Sequence, residues 1–508
     1  MPAAPASPRR ETLFCLALVT LLSFLAYVPQ FWTPQAFFWD ENYHIASAQK
    51  YLNRTFFMEP HPPLGKLVIA AGEALLNLNE RDDQFIGTDY AKAPPPGFNF
   101  AGYRLFPVLL AWLTAPILFL ALAIALRSPI IALLTSFLYI FDTALIVHLR
   151  GAMLESPYLF GSALTLLAFL MLRARQEKPL CHLEPVERRH FFFASFLFGL
   201  GFAMIMLTKV LGLVLILLPL VLLFEWRKDF PRIFRFVAAS GSTFLLLYVA
   251  VWQAHFALGT RINPILPDQG FYQASAEYKD ILQRNAVRSP RSFPIMLRDS
   301  LRFVGHYSRG VPRLDLCKAD ENGSPAFLWP FGGRSINYRW ETPDGVAYKY
   351  LYLQANPVVW WGGLLGVLLA MSLLLASWTL PLKEKLKNPT LLFTFLILHC
   401  GFMGGVFLLD RVLYTYHYFF PLIVSFFLLG LSLLELRHIL QWRLTESRQI
   451  TIFLGLGVTV FLGFLFFKPL AYYEPITDDA FKRRSFFPLW ELHCVHCPRE
   501  SMFVQGVR

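Results

Sequence analysis

"LGKLVIAAGEALLNL", residues Leu64–Leu78, is the stretch on which the membrane topology of this chain turns. It is apolar enough to suggest a span, yet it runs for only 15 residues and carries Lys66 and Glu73. A bilayer core needs roughly 20 apolar residues in a helix, so an interfacial helix lying against the membrane fits better. Its neighbours decide the matter. Counted as a span, it would invert every later one and turn the basic connections outward, against the tendency of Lys and Arg to gather on the inner side.

Those connections are "RARQEKPLCHLEPVERRH" (173–190), "EWRKDFPRIFR" (225–235), "PLKEKLKNPT" (381–390) and "RHILQWRLTESRQ" (437–449), with Arg9-Arg10 near the start. They account for much of the formal net charge of +12. A charge set by membrane orientation does not call for nucleic acid, and none is expected as a partner. The 508 residues are 56% hydrophobic and 16% charged, with 50 phenylalanines. A soluble domain could not bury so much apolar surface, and the apolar residues come in blocks of span length.

The expected architecture is therefore an all-α polytopic membrane protein. Eleven spans are read at 12–31, 103–126, 130–147, 156–172, 191–207, 210–225, 236–256, 358–378, 391–409, 417–436 and 450–467. The N-terminus lies inside and the C-terminus outside, and the short third, fifth and sixth spans suit a tilted or re-entrant course. The first block resembles a signal peptide but runs into "YVPQFWTPQAFFWD" rather than a small-residue cleavage site, and reads as a retained span. Three segments then fall outside: 32–102, 257–357 and 468–508.

Ionisable residues at span ends are costly and are functional candidates by default. Here they are Asp40, Glu41, His44, His61, Lys66, Arg104, Arg150, Glu155, Lys209, Asp410, Arg411 and His417, all on the outer face. Carboxylates come early and most of the cations later. A carboxylate can take the proton of an acceptor hydroxyl, while cations hold a phosphate and stabilise the charge it gains on leaving. That division suits moving a sugar from a lipid phosphate to a hydroxyl. No P-loop or GxGxxG precedes a helix, so no nucleotide site is expected. Each residue also has a plainer reading: Asp40 as N-cap of the following helix, Glu155 as N-cap of the fourth span, Arg104, Arg150 and Arg411 as interfacial anchors, and Lys209 as a loop lysine.

In the tail "LHCVHCPRE", Cys494 and Cys497 read as a disulfide, or as partners for Cys317, ahead of a zinc site built with His493 and His496. The arginines of "RNAVRSPRSFPIMLRDSLRFVGHYSR" (284–309) suit an amphipathic helix on anionic headgroups, or a cover over a donor phosphate.

Taken together, "WDENYH" with "FFMEPHPPLGK", then "YRLFPVLLAWLTAP", "GFAMIMLTKVLGLV", "LQANPVVWWGG" and "LLDRVLYTYHYFFP" resemble the protein O-mannosyltransferase family, in order and from about residue 37 to 430. The resemblance implies a GT-C glycosyltransferase fold. It also implies transfer of mannose, with inversion, from a polyprenyl-phosphate carrier to Ser or Thr of exported proteins. By that resemblance Asp40 is the catalytic base and Glu41 its acidic partner. His61 and Lys66 belong to the loop motif, and Arg104 is the second-span arginine. By the same resemblance Arg411, His417 and Tyr418 are assigned to the donor phosphate or to shaping the cavity; Arg150, Glu155 and Lys209 are further donor-phosphate or substrate-binding candidates from their place at the outer face alone.

The organisation implied is a catalytic membrane module over 1–256, an outer loop over 257–357, a C-terminal membrane region over 358–467 and an outer tail over 468–508. The 257–357 loop is too short for the MIR module of eukaryotic members, and Glu59-Pro60 and Glu155 depart from the usual pattern. These departures suit a bacterial member in the inner membrane with its site facing the periplasm. No cofactor is required, although paired carboxylates are able to hold a divalent metal. A same-fold transferase acting on lipid A or an envelope glycan, a transporter or flippase, and a non-catalytic scaffold are the competing readings. The oligomeric state is left open.

Overall fold

The computed structural model describes residues 8–174, 184–264, 266–318, 321–381, 384–439 and 441–495. Its helices are α1 (Pro8–Tyr27), α2 (Glu41–Leu52), α3 (Leu64–Leu76), α4 (Ala101–Leu126), α5 (Pro129–Ile140), α6 (Thr143–Leu149), α7 (Glu155–Arg173), α8 (Pro185–Met206), α9 (Leu217–Glu225) and α10 (Phe230–Leu258). The outer loop adds α11 (Gln269–Gln273), α12 (Ala276–Gln283) and α13 (Phe293–Gly310). Then follow α14 (Pro357–Thr379), α15 (Pro389–Phe407), α16 (Phe419–Glu435), α17 (Glu446–Ala471) and α18 (Asp478–Lys482).

All eleven expected segments are helical, but not all are plain spans. Nine helices are long and apolar enough to cross a membrane among the described residues. The third expected span is the pair α5 and α6, bent by 61°. The break has a chemical cause. Asp142 caps α6 by accepting from the Leu145 amide at 2.8 Å. Its other oxygen accepts from Trp360 Nε1 at 2.9 Å and from the Asn356 amide at 3.2 Å. The sixth expected span is a 3-10 segment, Val210–Ile216, followed by the nine-residue α9. α3, the segment read as interfacial, has 13 residues and packs against α2 and α4.

Several helices open on Pro in the first turn, where its missing N–H costs nothing: α5, α8, α10, α14 and α15 all do so. α7 and α16 are buried almost all round, whereas α10 is almost wholly exposed along its span. The α7–α8 crossing depends on small residues. A Cβ on Gly201 would lie 2.6 Å from both the Gly161 carbonyl oxygen and Thr165 Oγ1. Such close backbone approach is how helices pack where no hydrophobic drive separates helix from lipid.

The all-helical expectation misses a small outer sheet. β1 (Ile336–Glu341), β2 (Tyr348–Leu353) and β5 (Pro475–Ile476) pair antiparallel in the order β1-β2-β5, while β3 (His438–Ile439) and β4 (Trp442–Arg443) form a separate hairpin. β2 thus ties the tail to the outer loop. Cys494 is disulfide-bonded and Cys317 is a free, exposed thiol, which excludes their pairing. Cys497 and His496 lie outside the described residues.

Gly201→Val should destabilise the fold by about 1–3 kcal/mol through overpacking. Gly404→Ala, where a Cβ meets nothing within 4 Å, should leave the melting temperature in detergent unchanged or slightly raised.

Candidate active site

The adjacent acids of "WDENYH" part company at once. Successive helical residues point about 100° apart, and Asp40 and Glu41 face different surroundings. Glu41 is fully buried and takes a two-pronged pair from Arg104, with Nε to Oε1 and Nη2 to Oε2 both at 2.7 Å. It also accepts from the amides of Ala152 at 2.9 Å and Phe38 at 3.3 Å. Arg104 gives its remaining N–H groups to the carbonyls of Trp32, Pro34 and Ala36 at 2.7–2.9 Å. Its guanidinium lies between the rings of Phe38 and Phe100. All five donors are engaged, so nothing is left for a phosphate: Arg104 fastens the first outer loop, and Glu41 is its counter-ion.

Asp40 stands at the N-cap position of α2, but its carboxylate makes no capping hydrogen bond. The cap reading therefore holds for the backbone alone, whose carbonyl accepts from the amides of Tyr43 and His44. The carboxylate accepts from the Tyr416 hydroxyl at 3.3 Å. Burial first, then the nearby negative charge of Glu155, raise its pKa; Lys209, His148 and the Tyr416 bond pull the other way.

Around it the later outer connections converge. Glu155 Oε2 is 2.6 Å from His148 Nε2, and Glu155 Oε1 accepts from Lys209. It is the first residue of α7 rather than its cap. His148 Nδ1 is 2.6 Å from the Tyr338 hydroxyl, and its ring stacks on Tyr416 with centroids 4.6 Å apart. Lys209 Nζ lies over the Tyr416 ring, 5.4 Å from its centroid. Trp39 stacks on Tyr338 at 5.0 Å, fixing the backbone just before Asp40.

His61 and Arg411 complete the cluster. His61 Nδ1 and Arg411 Nε are buried without a hydrogen-bond partner among the described residues. Burial and the neighbouring Lys66, Lys209, His44 and Arg411 hold the His61 pKa well below the ordinary value, so the ring is neutral. His44 donates or accepts at the Ala152 carbonyl, 2.7 Å away, and burial with Lys66 depresses its pKa to about 3. Beside Lys209 and His417 lies a narrow gap of about 10 Å³ whose walls include Leu211, Phe402, Phe419 and Phe420. On the other side, Tyr43, Tyr307 and Tyr414 help line an open cleft of about 570 Å³.

Three candidates have other jobs. Lys66 is buried in an ion pair with Glu59. Arg150 donates to the Pro29 carbonyl at 2.7 Å and stacks on Tyr472, tying α1 to α17. Tyr418 is buried against Trp360 and His399, its hydroxyl without a partner. Conversely, sequence reasoning passed over His148, Tyr416 and Tyr338. His148 stands at the start of "HLRGAMLE" (148–155), which ends in Glu155, and Tyr416 lies inside "LLDRVLYTYHYFFP" beside His417, so proximity to those two residues was a usable signal. Nothing local marks Tyr338. Among the described residues no three His, Cys, Asp or Glu side chains form a metal-like group.

A bent helical bundle with a carboxylate facing cations at one membrane face defines an integral membrane protein of the GT-C fold. The model of the dolichyl-phosphate-mannose-protein mannosyltransferase family matches residues 17–257, and that of the C-terminal four-span region of protein O-mannosyltransferase matches residues 312–490. The chain belongs to the protein O-mannosyltransferase family. It is 30% identical to dolichyl-phosphate-mannose–protein mannosyltransferase 4 of Saccharomyces cerevisiae over 167 residues, 32% of this chain and 21% of that protein. To protein O-mannosyl-transferase 2 of Danio rerio it is 31% identical over 172 residues, 32% of this chain and 22% of the relative. The aligned segment thus spans about a fifth of each relative's length. The fold is also similar to the S. cerevisiae protein O-mannosyltransferase Pmt1-Pmt2 complex bound to the sugar donor. The TM-score is 0.76 at 14% identity, covering 94% of this chain and 92% of that one.

The two arginines should separate cleanly. Arg104→Ala strands a buried carboxylate and should cost about 3–5 kcal/mol of stability, read as a lower melting temperature and yield. Arg411→Ala should leave the melting temperature near wild type and weaken retention of a polyprenyl phosphate, measured by direct binding.

Proposed function

We propose that the protein is an inverting glycosyltransferase that moves a mannosyl group from a polyprenyl-phosphate carrier to Ser or Thr hydroxyls of exported proteins. The proposed setting is the periplasmic face of a bacterial inner membrane. One observation carries the reading: a carboxylate free of capping, Asp40, accepts from the Tyr416 hydroxyl, and Lys209 and His148, the partners of Glu155, both lie against that same ring.

Inversion needs a base on one side of the sugar and the leaving phosphate on the other. Asp40, near the tyrosines of the open cleft, suits the base. Its raised pKa brings it nearer the working pH, where a general base is most effective. Lys209 and Arg411 suit the phosphate, whose growing negative charge they would stabilise as it leaves. Tyr416 holds Asp40 by one hydrogen bond, and Lys209 pairs with Glu155, so that the base is not consumed in an ion pair. Neutral His61, with an open Nδ1, suits a sugar hydroxyl.

Membranes supplied with polyprenyl-phosphate [14C]mannose should label a Ser/Thr-rich peptide. Label confined to a lipid or glycan fraction would contradict the protein acceptor. Asp40→Asn should lower transfer by roughly 10²–10⁴-fold while keeping the wild-type melting temperature, and retained activity would remove Asp40 as the base.

The pH profile gives a separate check. A base works only when deprotonated, so kcat should fall as pH drops through the Asp40 pKa, on a limb lying above the usual Asp range. Tyr416→Phe removes a hydrogen bond that favours the ionised form and should move that limb to higher pH. An unmoved limb would mean that another group titrates.

A further inference from the structure

Away from the catalytic cluster, three distant segments are stitched together at the outer end of α10. After α2 the chain turns at Arg54, with a left-handed φ of 55°. The Arg54 carbonyl accepts from the amides of Thr260 at 3.0 Å and Arg261 at 2.8 Å, and Phe56 donates to the Arg261 carbonyl at 2.7 Å. The segment after α12 is pinned to α10 by Gln253, which donates to the Val287 carbonyl at 3.0 Å. These bonds bring Arg54, Arg261 and Arg288 to the walls of one cleft of about 490 Å³.

The charge there is unbalanced. Flanking basic residues have carboxylate partners: Lys50 has Asp89 and Asp268, Arg284 has Asp280 and Arg298 has Glu277. Among the described residues, no carboxylate pairs with Arg54, Arg261 or Arg288. Like charges held around one space repel unless an anion lies between them.

The location tells which anion. α10 has only 6% of its most apolar stretch buried, and Leu245, Leu246 and Val249 are exposed along it, so its outer surface faces hydrocarbon. The helix ends at Leu258, and the cleft begins at Ala257. The three guanidiniums therefore stand where the hydrocarbon of the leaflet gives way to headgroups. Arg is suited to phosphate by its flat fork of donors.

We propose that this cleft binds the phosphate of an anionic phospholipid headgroup, in the leaflet on the side of Asp40. A bound lipid would bridge the end of α2, the end of α10 and the segment after α12, bracing the loop that carries Asp40 without entering its chemistry.

The test uses the full-length protein in detergent with phosphatidylglycerol, phosphatidylcholine or inorganic phosphate added, read by melting temperature and by bound lipid in native mass spectrometry. Phosphatidylglycerol should raise the melting temperature and stay bound. Arg54→Gln, Arg261→Gln and Arg288→Gln should each weaken its binding about fivefold, and the triple variant should lose it. The single variants keep the test decisive should the triple variant prove unstable. Lys279→Gln with Arg284→Gln, on neighbouring α12, should bind as wild type does. Undiminished binding by the arginine variants would overturn the proposal, as would equal loss in the α12 control, which would mark diffuse attraction. Equal stabilisation by phosphatidylcholine or by inorganic phosphate would overturn it too, the latter marking a free-anion site.

Discussion

A carboxylate and a guanidinium sealed from water, Glu41 and Arg104, hold the outer half of this protein in register. Glu41 opens α2, Arg104 lies in the first turn of α4, and the bonds they make reach the loop at Trp32–Ala36 and the turn at Ala152. A buried charge is tolerable only when its partner and every remaining donor are satisfied, and here they are. The arrangement explains why two acids stand side by side. One is neutralised to fix the helix start, which leaves its neighbour aimed elsewhere with its carboxylate uncapped.

What Asp40 then faces is a set of charges balanced among themselves. Glu155 is shared between Lys209 and His148, and Tyr416 touches both that group and Asp40. Were Lys209 to pair directly with Asp40, the carboxylate would be held well ionised and weakly basic. With Lys209 paired to Glu155 instead, burial outweighs the pull of the cations and the pKa rises. His61 is kept neutral first by its burial and then by the neighbouring Lys66 and Lys209. One electrostatic environment thus sets opposite roles for groups close together, which depends on low local dielectric.

The outer sheet reaches this cavity. β1 carries Tyr338 to His148, and β2 pairs with β5 of the tail, so the loop and the tail are joined in one layer. Arg334 strengthens that joint, donating to the carbonyls of Gly323 and Glu321 and to the Glu491 carboxylate. The bend at Asp142 does the complementary work from below, turning α6 so that His148 meets Glu155 across the turn.

Span positions were legible in the sequence because they follow from composition over windows of 15–25 residues, which a bilayer reads directly, and α3 was legible as a helix too short to span. Asp40 was legible as a candidate, since few carboxylates stand at span ends. The division of labour among the cations was not. Arg104, Arg150 and Arg411 are alike as residues at the outer ends of apolar segments, yet the first is saturated by carbonyls and Glu41, the second donates to Pro29 and leans on Tyr472, and among the described residues the Nε of the second and of the third is left without a partner. Hydrogen-bond saturation is a property of groups brought together from 60 to 300 residues away, so it appears only once the chain is folded. The same holds for Tyr338 and for the outer sheet, whose strands are too short to announce themselves and exist because β2 meets the tail. Local hydropathy decided where this chain crosses the membrane; tertiary packing decided which of its charges were left free to act.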